Sequence, residues 1–444
     1  MRSLLLATTL ALPALSLAQG QLTPPPGAFS GGAPTATMKT LDQLEPRTPL
    51  AAGASGVTQN SNGGFTITNR GSYYLTSDLS VTSGNAIVIT ASNVTLDLNG
   101  FTLSSSDANA TSDAIVLPSP ATRIAIRNGR IAGGCAITSE GTFAPGPGFA
   151  NGLSAASTSG CLLEDLTVTG MRLSGLGLDA TFTANSIRRC TVAFCGGGGL
   201  GADLVEDSLA IGVFGSGIVA TQVVNSRAES LGYGSGIQAA TVSNSTGIGR
   251  SYIGINSDLV LNSVGESTDS HGIAASIVTG CRGKSSALYG IMAISAINCL
   301  GETSTLAGIL ACNATNCQGT SDTGDGLVAY TVANCNGTSN SGIGLNVIDD
   351  YYLPSPAGVA ENSGGWSDTG DGLVAALAMN CVGHTNSGTR FGILVEGTAN
   401  SCRGTNTDPT GGVAIKAAIA VACTAKMGGI EVTTANGKQL GTTP

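Results

Sequence analysis

The chain has 444 residues, of which 65 are glycine, and its formal net charge is −9, from 19 Lys and Arg against 28 Asp and Glu. Glycine is about twice as frequent as in an average protein. Proline nevertheless contributes only 15 residues, and 42% of the chain is hydrophobic, which excludes a collagen-like and a disordered low-complexity chain. The basic residues form no cluster, which argues against a nucleic acid or an anionic membrane surface as partner.

The segment 1–18 has the pattern of a secretory signal peptide. Arg2 precedes an apolar run from Leu4 to Leu17, and small residues suit cleavage after Ala18. The alternative is a buried first helix, which Pro13 would interrupt. Residues 19–55 are rich in Pro, Gly and Ala and predict a linker. No later stretch reaches the roughly 20 apolar residues of a membrane span, so the sequence predicts a secreted, periplasmic or cell-surface protein.

A period of 18 residues runs through the C-terminal two thirds of the chain, and self-similarity at a fixed period is the sequence signature of a repeat architecture. Its most regular feature is a column of Cys and Ser, preceded on most coils by Asn. Nine residues before the column stands Gly, followed by Ile or Leu, any residue and usually Ala, as in Gly272–Ala275. Each coil therefore contains two short segments with β-strand alternation, separated by turn residues. The column consists of Leu166, Cys190, Ser208, Ser226, Ser245, Ser263, Cys281, Cys299, Cys317, Cys335, Ser363, Cys381, Cys402 and Cys423.

Strands this short cannot bury an apolar face alone, but stacked coils can pair strand on strand at about 4.8 Å and align their Ile, Val and Ala in ladders. The sequence therefore predicts an all-β fold, a single-stranded parallel β-helix. Compact rungs of roughly 18 to 21 residues, each one repeat unit, are expected over 166–429. A cap and longer rungs are expected over 56–165, and a C-terminal cap over 430–444. The repeated glycine is interpreted as a corner that needs a positive φ.

Two upstream segments carry a family resemblance. Asn93–Gly100, with the sequence Asn-Val-Thr-Leu-Asp-Leu-Asn-Gly, and the turn Asn128–Ile131 resemble the right-handed parallel β-helix proteins of the pectate-lyase-like superfamily. The resemblance covers roughly residues 60–425 and implies a right-handed coil. It implies little about function, because that superfamily includes polysaccharide lyases, glycoside hydrolases, epimerases, adhesins and non-enzymatic surface proteins.

Three columns have structural interpretations. Consecutive cysteines, such as Cys281 and Cys299, would lie close enough for inter-rung disulfides. Free buried thiols are the alternative, favoured because Ser occupies the same column on other coils. The Asn column predicts a ladder of stacked amides that stabilises the turn. Glu266, Lys284 and Glu302 share one column on consecutive coils and predict a ladder of opposite charges.

One insertion interrupts the period and gives the first candidate site. Cys335 and Ser363 are 28 residues apart instead of 18, so the surplus, near 348–357, must protrude as a loop. Inserted loops on a solenoid tend to carry its function. Acids beside aromatic residues suit a sugar-binding cleft, although the aromatic rings could equally pack the loop against the helix. The carbohydrate-binding candidates are Asp349, Asp350, Tyr351, Tyr352, Trp366 and His384.

A nonapeptide that occurs twice, at 321–329 and 367–375, gives the second candidate site. Carboxylates at glycine-rich turns suit Ca²⁺. Solvated turn carboxylates are the alternative, since calcium-binding β-rolls carry such a motif on nearly every coil. The candidate calcium ligands are Asp322, Asp325, Asp368 and Asp371.

These patterns favour a non-catalytic β-helix with a structural or polysaccharide-binding role, because the repeat is nearly uniform and poor in charge. The alternative is a polysaccharide lyase or glycoside hydrolase around the loop, although Asp349 and Asp350 alternate along the chain and would point apart. No cofactor is required by any motif, and Ca²⁺ stays an option. A monomer is expected, with end-to-end association through the terminal rungs as the alternative.

Overall fold

A computed structural model describes residues 47–118, 120–139, 141–178, 184–348 and 358–433, and the backbone of 439–440. The predicted signal peptide and the loop residues 349–357 lie outside this part of the chain. The compact unit begins at Thr48, within the range that predicts a linker, and Leu50 is already buried.

The described residues form 47 β-strands. The N-terminal strands are β1 Thr48–Pro49, β2 Val57–Gln59, β3 Phe65–Ile67, β4 Gly71–Tyr74, β5 Leu79–Val81, β6 Ile87–Ile89, β7 Val94–Asp97, β8 Thr102–Ser105, β9 Ile115–Leu117, β10 Ala121–Thr122, β11 Ile124–Ala132, β12 Ala136–Ile137, β13 Phe143–Ala144, β14 Leu153–Ala155, β15 Thr158–Ser159 and β16 Leu162–Thr169. The central strands are β17 Leu176–Gly177, β18 Ser186–Arg188, β19 Thr191–Ala193, β20 Leu200–Glu206, β21 Leu209–Val213, β22 Ile218–Val224, β23 Arg227–Ser230, β24 Ile237–Ser243, β25 Thr246–Gly249, β26 Ile255–Leu261, β27 Val264–Ser267, β28 Ile273–Thr279, β29 Arg282–Ser285, β30 Ile291–Ile297, β31 Leu300–Thr303, β32 Ile309–Thr315, β33 Gln318–Ser321, β34 Leu327–Ala333 and β35 Asn336–Ser339. The C-terminal strands are β36 Leu345–Val347, β37 Val359–Glu361, β38 Gly364–Ser367, β39 Leu373–Ala375, β40 Leu377–Met379, β41 Val382–Thr385, β42 Ile393–Asn400, β43 Arg403–Asn406, β44 Val413–Val421, β45 Thr424–Ala425, β46 Gly429–Val432 and β47 Gln439–Leu440.

Successive rungs pair in parallel, one period apart, so the predicted all-β parallel β-helix is confirmed. Ile273 pairs with Ile291, and Ile291 pairs with Ile309. All three isoleucines are fully buried, and they form one of the inward ladders that the repeat predicts. Each ladder of this kind removes apolar surface from water, which is the main stabilising contribution of the stack.

The register locates the insertion. Leu327 pairs with Leu345, one period on, whereas Val332 on the same strand pairs with Ala360, well beyond one period. The additional residues therefore lie between Val347 and Val359. Both flanking strands keep their inward side chains buried, so the stack continues through the insertion.

The asparagine before each Cys or Ser takes the left-handed backbone conformation that turns one strand into the next. Its φ lies between 47° and 55° on eight coils. Asparagine tolerates this conformation better than most residues. The amide stack predicted from the sequence is present where Asn316 Nδ2 donates to Asn298 Oδ1 at 3.1 Å, and it lies on the outer surface. The eight residues are Asn225, Asn244, Asn262, Asn298, Asn316, Asn334, Asn362 and Asn380.

The Cys and Ser column satisfies backbone groups at this turn. Ser226 N–H donates to Ser245 Oγ at 3.1 Å, and Ser245 Oγ donates to the carbonyl oxygen of Ser243 at 2.7 Å. Ser263 N–H likewise donates to Cys281 Sγ at 3.4 Å. A hydroxyl and a thiol both donate and accept hydrogen bonds, which explains why the two residue types share one column.

The column cysteines are free thiols. All twelve cysteines lie in the described ranges, none is in a disulfide, and only Cys312 is exposed. The interpretation as free buried thiols therefore fits the structure, and the inter-rung disulfides are absent from it. Burial raises the pKa of Cys281 to about 11, so this thiol stays protonated at neutral pH and can donate.

Replacing Ser245 by alanine is expected to lower the free energy of unfolding by about 2 kcal/mol, because the buried N–H of Ser226 loses its acceptor. Ser245→Cys should cost less than half of that, since a thiol retains both functions. Urea unfolding of the two variants measures the difference. Equal losses would contradict the hydrogen-bonding explanation and leave only side-chain size.

The prediction that the repeated corner glycines need a positive φ is wrong. Gly272 and Gly308 do not adopt it. Instead, a Cβ on Gly272 would lie 2.5 Å from the backbone nitrogen of Lys284 and 2.6 Å from the carbonyl oxygen of Gly290. Glycine is required at this corner because the backbones of neighbouring rungs approach too closely for any side chain.

The two ends of the stack differ. Val57–Gln59 pairs antiparallel with Phe65–Ile67, and this hairpin covers an edge of the first rung that would otherwise be open. At the other end Ile430 pairs in parallel with Ile415, so the ladder continues into the range that predicts a C-terminal cap. Among the described residues, no helix has the length and apolarity that crossing a membrane requires.

Candidate functional site

The asparagine turn and the short strands after it border a long open groove. It has a volume of about 870 Å³ and extends from Asn262 to Val382, across seven rungs. At the rung spacing this is about 30 Å. Seven asparagines and one glutamine line it together with small and apolar residues, and Arg282 is the charged residue among the described lining.

We use the term short-strand face for the outward positions of the short strands on the C-terminal rungs. On each rung these are the first and third residues after the Cys or Ser, while the residue between them is buried. The face consists of Gln318, Thr320, Asn336, Thr338, Gly364, Trp366, Val382, His384, Arg403, Thr405, Thr424 and Lys426.

Trp366 and His384 form the aromatic centre of this face. They pair across adjacent rungs, and their ring centroids are 3.9 Å apart with a tilt of 30°. The indole is 50% exposed, so one face of it is available to a ligand. Trp366 and His384 are one period apart in sequence, and the strand register places them side by side in one column.

A hydrogen-bonded chain fixes the histidine. His384 Nε2 lies 2.7 Å from Asn386 Oδ1, and Asn386 Nδ2 donates to Asp368 Oδ1 at 2.8 Å. Because Asp368 accepts from the amide nitrogen, the amide oxygen of Asn386 must accept from the imidazole, which assigns the hydrogen to Nε2. The chain holds the imidazole as a rigid backing for the indole.

A cleft of about 390 Å³ opens beside this pair and shares Asn336, Gly364 and Val382 with the long groove. Arg403 and Lys426 line it on the side towards the C-terminus. Both side chains are exposed, and within the described residues neither has an ion-pair partner. Of the described residues that line the cleft, none is acidic.

The remaining carbohydrate candidates, Asp349, Asp350, Tyr351 and Tyr352, lie outside the described residues. The structure therefore places Trp366 and His384 together. The role of the four loop residues in binding carbohydrate stays a prediction. Sequence reasoning did not assign Arg403 and Lys426 to a site. The signal that could have found them is their position, one and three residues after Cys402 and Cys423, which is the outward pattern of every short strand.

No protein-family model matches this chain, and no curated protein matches it. Among solved structures, it is similar to a variant of the catalytic domain of a GH87 alpha-1,3-glucanase in complex with tetrasaccharides, at 10% identity and a TM-score of 0.16, over 84% of this chain and 64% of that one. ORF18 of Geobacillus virus E2 is similar at 14% identity and a TM-score of 0.15, over 87% and 54%. The chain thus spans less than two thirds of either structure. Similarities this weak carry no argument about function.

The two nonapeptide turns do not provide a set of converging calcium ligands. Asp322 and Asp368 share a column with Asn340 between them, so they lie two rungs, about 10 Å, apart. Each accepts from the asparagine of the next rung, at 3.4 Å from Asn340 and at 2.8 Å from Asn386. Within the described ranges, no three His, Cys, Asp or Glu residues converge in a way that could hold a metal ion.

The other two calcium candidates bind backbone groups of the following rung. Asp325 Oδ1 accepts from Ile343 N–H at 2.8 Å, and Asp371 Oδ1 accepts from Phe391 N–H at 2.7 Å. Burial raises the pKa of both carboxyl groups. Their role in the structure is to fix successive turns, because each carboxylate satisfies a donor that the turn leaves without a carbonyl partner.

The raised pKa of Asp325 has a consequence for stability. A carboxyl group whose folded pKa exceeds its unfolded value, near 3.8, contributes stability below pH 3.8 that is lost as the pH rises through the folded pKa. The difference in unfolding free energy between the wild type and Asp325→Asn should therefore fall as the pH rises from 3.5 towards 7. Urea unfolding across this range measures it, and a difference that stays constant or grows would contradict the prediction.

The predicted charge ladder has the expected register but a different ion pair. Glu266, Lys284 and Glu302 occupy one column on successive rungs. The closest pair joins Arg282 Nη2 to Glu302 Oε2 at 2.8 Å. Lys284 is exposed, so it contributes little to stability.

Proposed function

We propose that this protein is a secreted or cell-surface β-helix that binds an extracellular polysaccharide, without catalysis, through the short-strand face. The observation that carries the proposal is the half-exposed Trp366, held against His384 in a cleft that joins the long groove. Export and the right-handed coil of the pectate-lyase-like superfamily belong to the same proposal, and both rest on sequence patterns.

The chemistry of the face suits sugar. Aromatic rings present a large apolar surface at little cost in conformational entropy, and sugars offer C–H faces that stack on it. Amides such as Asn336 and hydroxyls such as Thr405 border the same cleft, where they can donate to and accept from sugar hydroxyls. The groove is long and open, which suits a polymer better than a compact ligand.

The main alternative is a glycoside hydrolase or polysaccharide lyase. Glycoside hydrolysis uses a pair of carboxylates beside the scissile bond. Within the described residues, Asp368 is linked to the aromatic pair by hydrogen bonds, and it reaches His384 only through Asn386. This arrangement supports binding over catalysis.

The proposal is tested by titrating the exported protein with neutral and acidic polysaccharides, with binding followed by calorimetry. New reducing ends and unsaturated uronides are assayed in the same mixtures. We expect saturable binding to at least one polymer and no product. Product formation on any polymer would overturn the non-catalytic assignment, and no binding across the panel would overturn the polysaccharide assignment.

A further inference from the structure

The short-strand face differs in charge from the chain that carries it. The whole chain has a formal charge of −9. On earlier rungs the same outward column holds Glu229, Glu266 and Glu302. From Gln318 to Lys426 neither outward column contains an acid. Acidic residues are thus absent from these two columns around the aromatic pair, and Asp368, which lies beyond the end of the strand, accepts a hydrogen bond from Asn386.

Two cations complete this part of the face. Arg403 pairs with Val382 on one side and with Thr424 on the other, and Lys426 follows on the next rung. Their rungs are about 4.8 Å apart along the helix axis, and Lys426 lies two residues further along the chain than Thr424, the partner of Arg403. By contrast, Arg282, which lies on an earlier rung before this face, is ion-paired with Glu302. A cation without a partner in an acid-free cleft attracts an anion with little competition from the protein itself.

On the basis of the proposed polysaccharide-binding function, we infer that the bound polymer is anionic. Its carboxylate or sulfate groups contact Arg403 and Lys426 while a sugar ring stacks on Trp366. A guanidinium can bind either anion with two parallel hydrogen bonds, and an ammonium binds it as a point charge. The cations thus select the charge of the polymer, and the indole supplies contact with its ring.

A single-stranded nucleic acid would also combine negative charge with stacking groups. It carries a phosphate on every nucleotide, and proteins that bind it present a basic track along their whole groove. The long groove here is lined by amides, and Arg282 within it is ion-paired. The observations therefore favour an acidic polysaccharide, and nucleic acid becomes an outcome of the test.

The test uses polymers that share a backbone and differ in charge: dextran with carboxymethyl-dextran and dextran sulfate, and hydroxyethyl-cellulose with carboxymethyl-cellulose. The full exported protein is compared with the double variant Arg403→Gln/Lys426→Gln. The matched control is Arg227→Gln/Lys284→Gln, which removes the same charge from exposed positions in the same outward columns on earlier rungs. Circular dichroism confirms that both variants are folded. Oligothymidylate serves as the nucleic-acid arm.

We expect the wild type to bind at least one charged polymer ten times or more tightly than its neutral counterpart. The double variant should lose at least tenfold in affinity for the charged polymer and less than twofold for the neutral one, and the control should change by less than twofold. Comparison of the carboxymethyl and sulfate forms identifies the anion.

Equal affinity for charged and neutral polymers would overturn the inference and leave the proposed function intact. An equal loss in the double variant and in its control would also overturn it, because general charge rather than this cleft would then be responsible. Tighter binding of oligothymidylate than of any polysaccharide would overturn it in favour of nucleic acid. Absence of binding to every polymer would overturn both the inference and the proposed function.

Discussion

Replacing Trp366 by alanine is expected to weaken polysaccharide binding by about 2 kcal/mol, or roughly thirtyfold in Kd. The indole is half exposed and is backed by His384, so it can stack on a sugar without first being ordered. Truncation removes this surface and leaves the imidazole open to solvent. Calorimetric titration with the polymer that the wild type binds measures the effect.

Two variants control for the change. Trp366→Phe keeps a ring at the same position and should lose less than tenfold. Tyr233→Ala truncates an aromatic side chain that is 92% exposed and lies on an earlier rung, so affinity should change by less than twofold. If Tyr233→Ala weakens binding as much as Trp366→Ala does, the ligand does not depend on the aromatic pair and the proposed site is wrong.

The fold could be predicted because one simple rule recurs on every coil. Alternation gives the strands, the period gives the register, and a unit too short to bury itself must stack. The surplus between Cys335 and Ser363 also located the insertion, since the ladders on both sides keep their pairing. These inferences depend on counting residues, which a sequence permits.

Backbone geometry was harder to predict. Glycine at a repeated corner indicates either a positive φ or a close approach, and the residue type does not distinguish the two. In this helix the positive φ falls on the asparagine before the column, as at Asn298, and the corner glycine, as at Gly272, avoids a neighbouring backbone. The distinction depends on how closely two rungs pack, which is a property of the stack and not of one coil.

The cations of the site were missed for a related reason. The sequence places Cys402 and Cys423 in the column, but the prediction did not extend the outward pattern of the short strands to the residues after them. The pairing of β41 with β43, and of β43 with β45, shows that Arg403 follows the outward pattern, and the hydrogen bond from Lys426 N–H to the carbonyl oxygen of Gly404 extends the register to Lys426. Register alone also does not predict the ion pairs. Lys284 is the direct neighbour of Glu302 in register, but the long side chain of Arg282 forms the ion pair with Glu302.

Substitution of Gly301 by alanine is expected to lower the free energy of unfolding by about 3 kcal/mol or more. Gly301 lies in the short strand Leu300–Thr303 and does not have a positive φ. A Cβ there would lie 2.1 Å from the carbonyl oxygen of Gly308 and 2.4 Å from Cγ1 of Ile309. The first of these atoms is a backbone carbonyl oxygen of the same coil, and it already accepts a hydrogen bond from Ile291 N–H of the preceding rung at 3.0 Å. It therefore cannot move without disturbing the pairing of two rungs. Urea unfolding of the protein measures the loss.

Gly201→Ala is the matched control, because it makes the same chemical change within another strand of the stack. The nearest atom to a Cβ on Gly201 is the α-carbon of Gly177, at 3.9 Å, which is ordinary van der Waals contact. Alanine there should change stability by about 0.5 kcal/mol or less, in the stabilising direction, because it restricts the unfolded chain. Equal losses at the two positions would show that glycine is required along the strands for chain flexibility rather than for the close approach of two strands within one coil. A large loss at Gly301 alone would locate the requirement in the contact between neighbouring backbones.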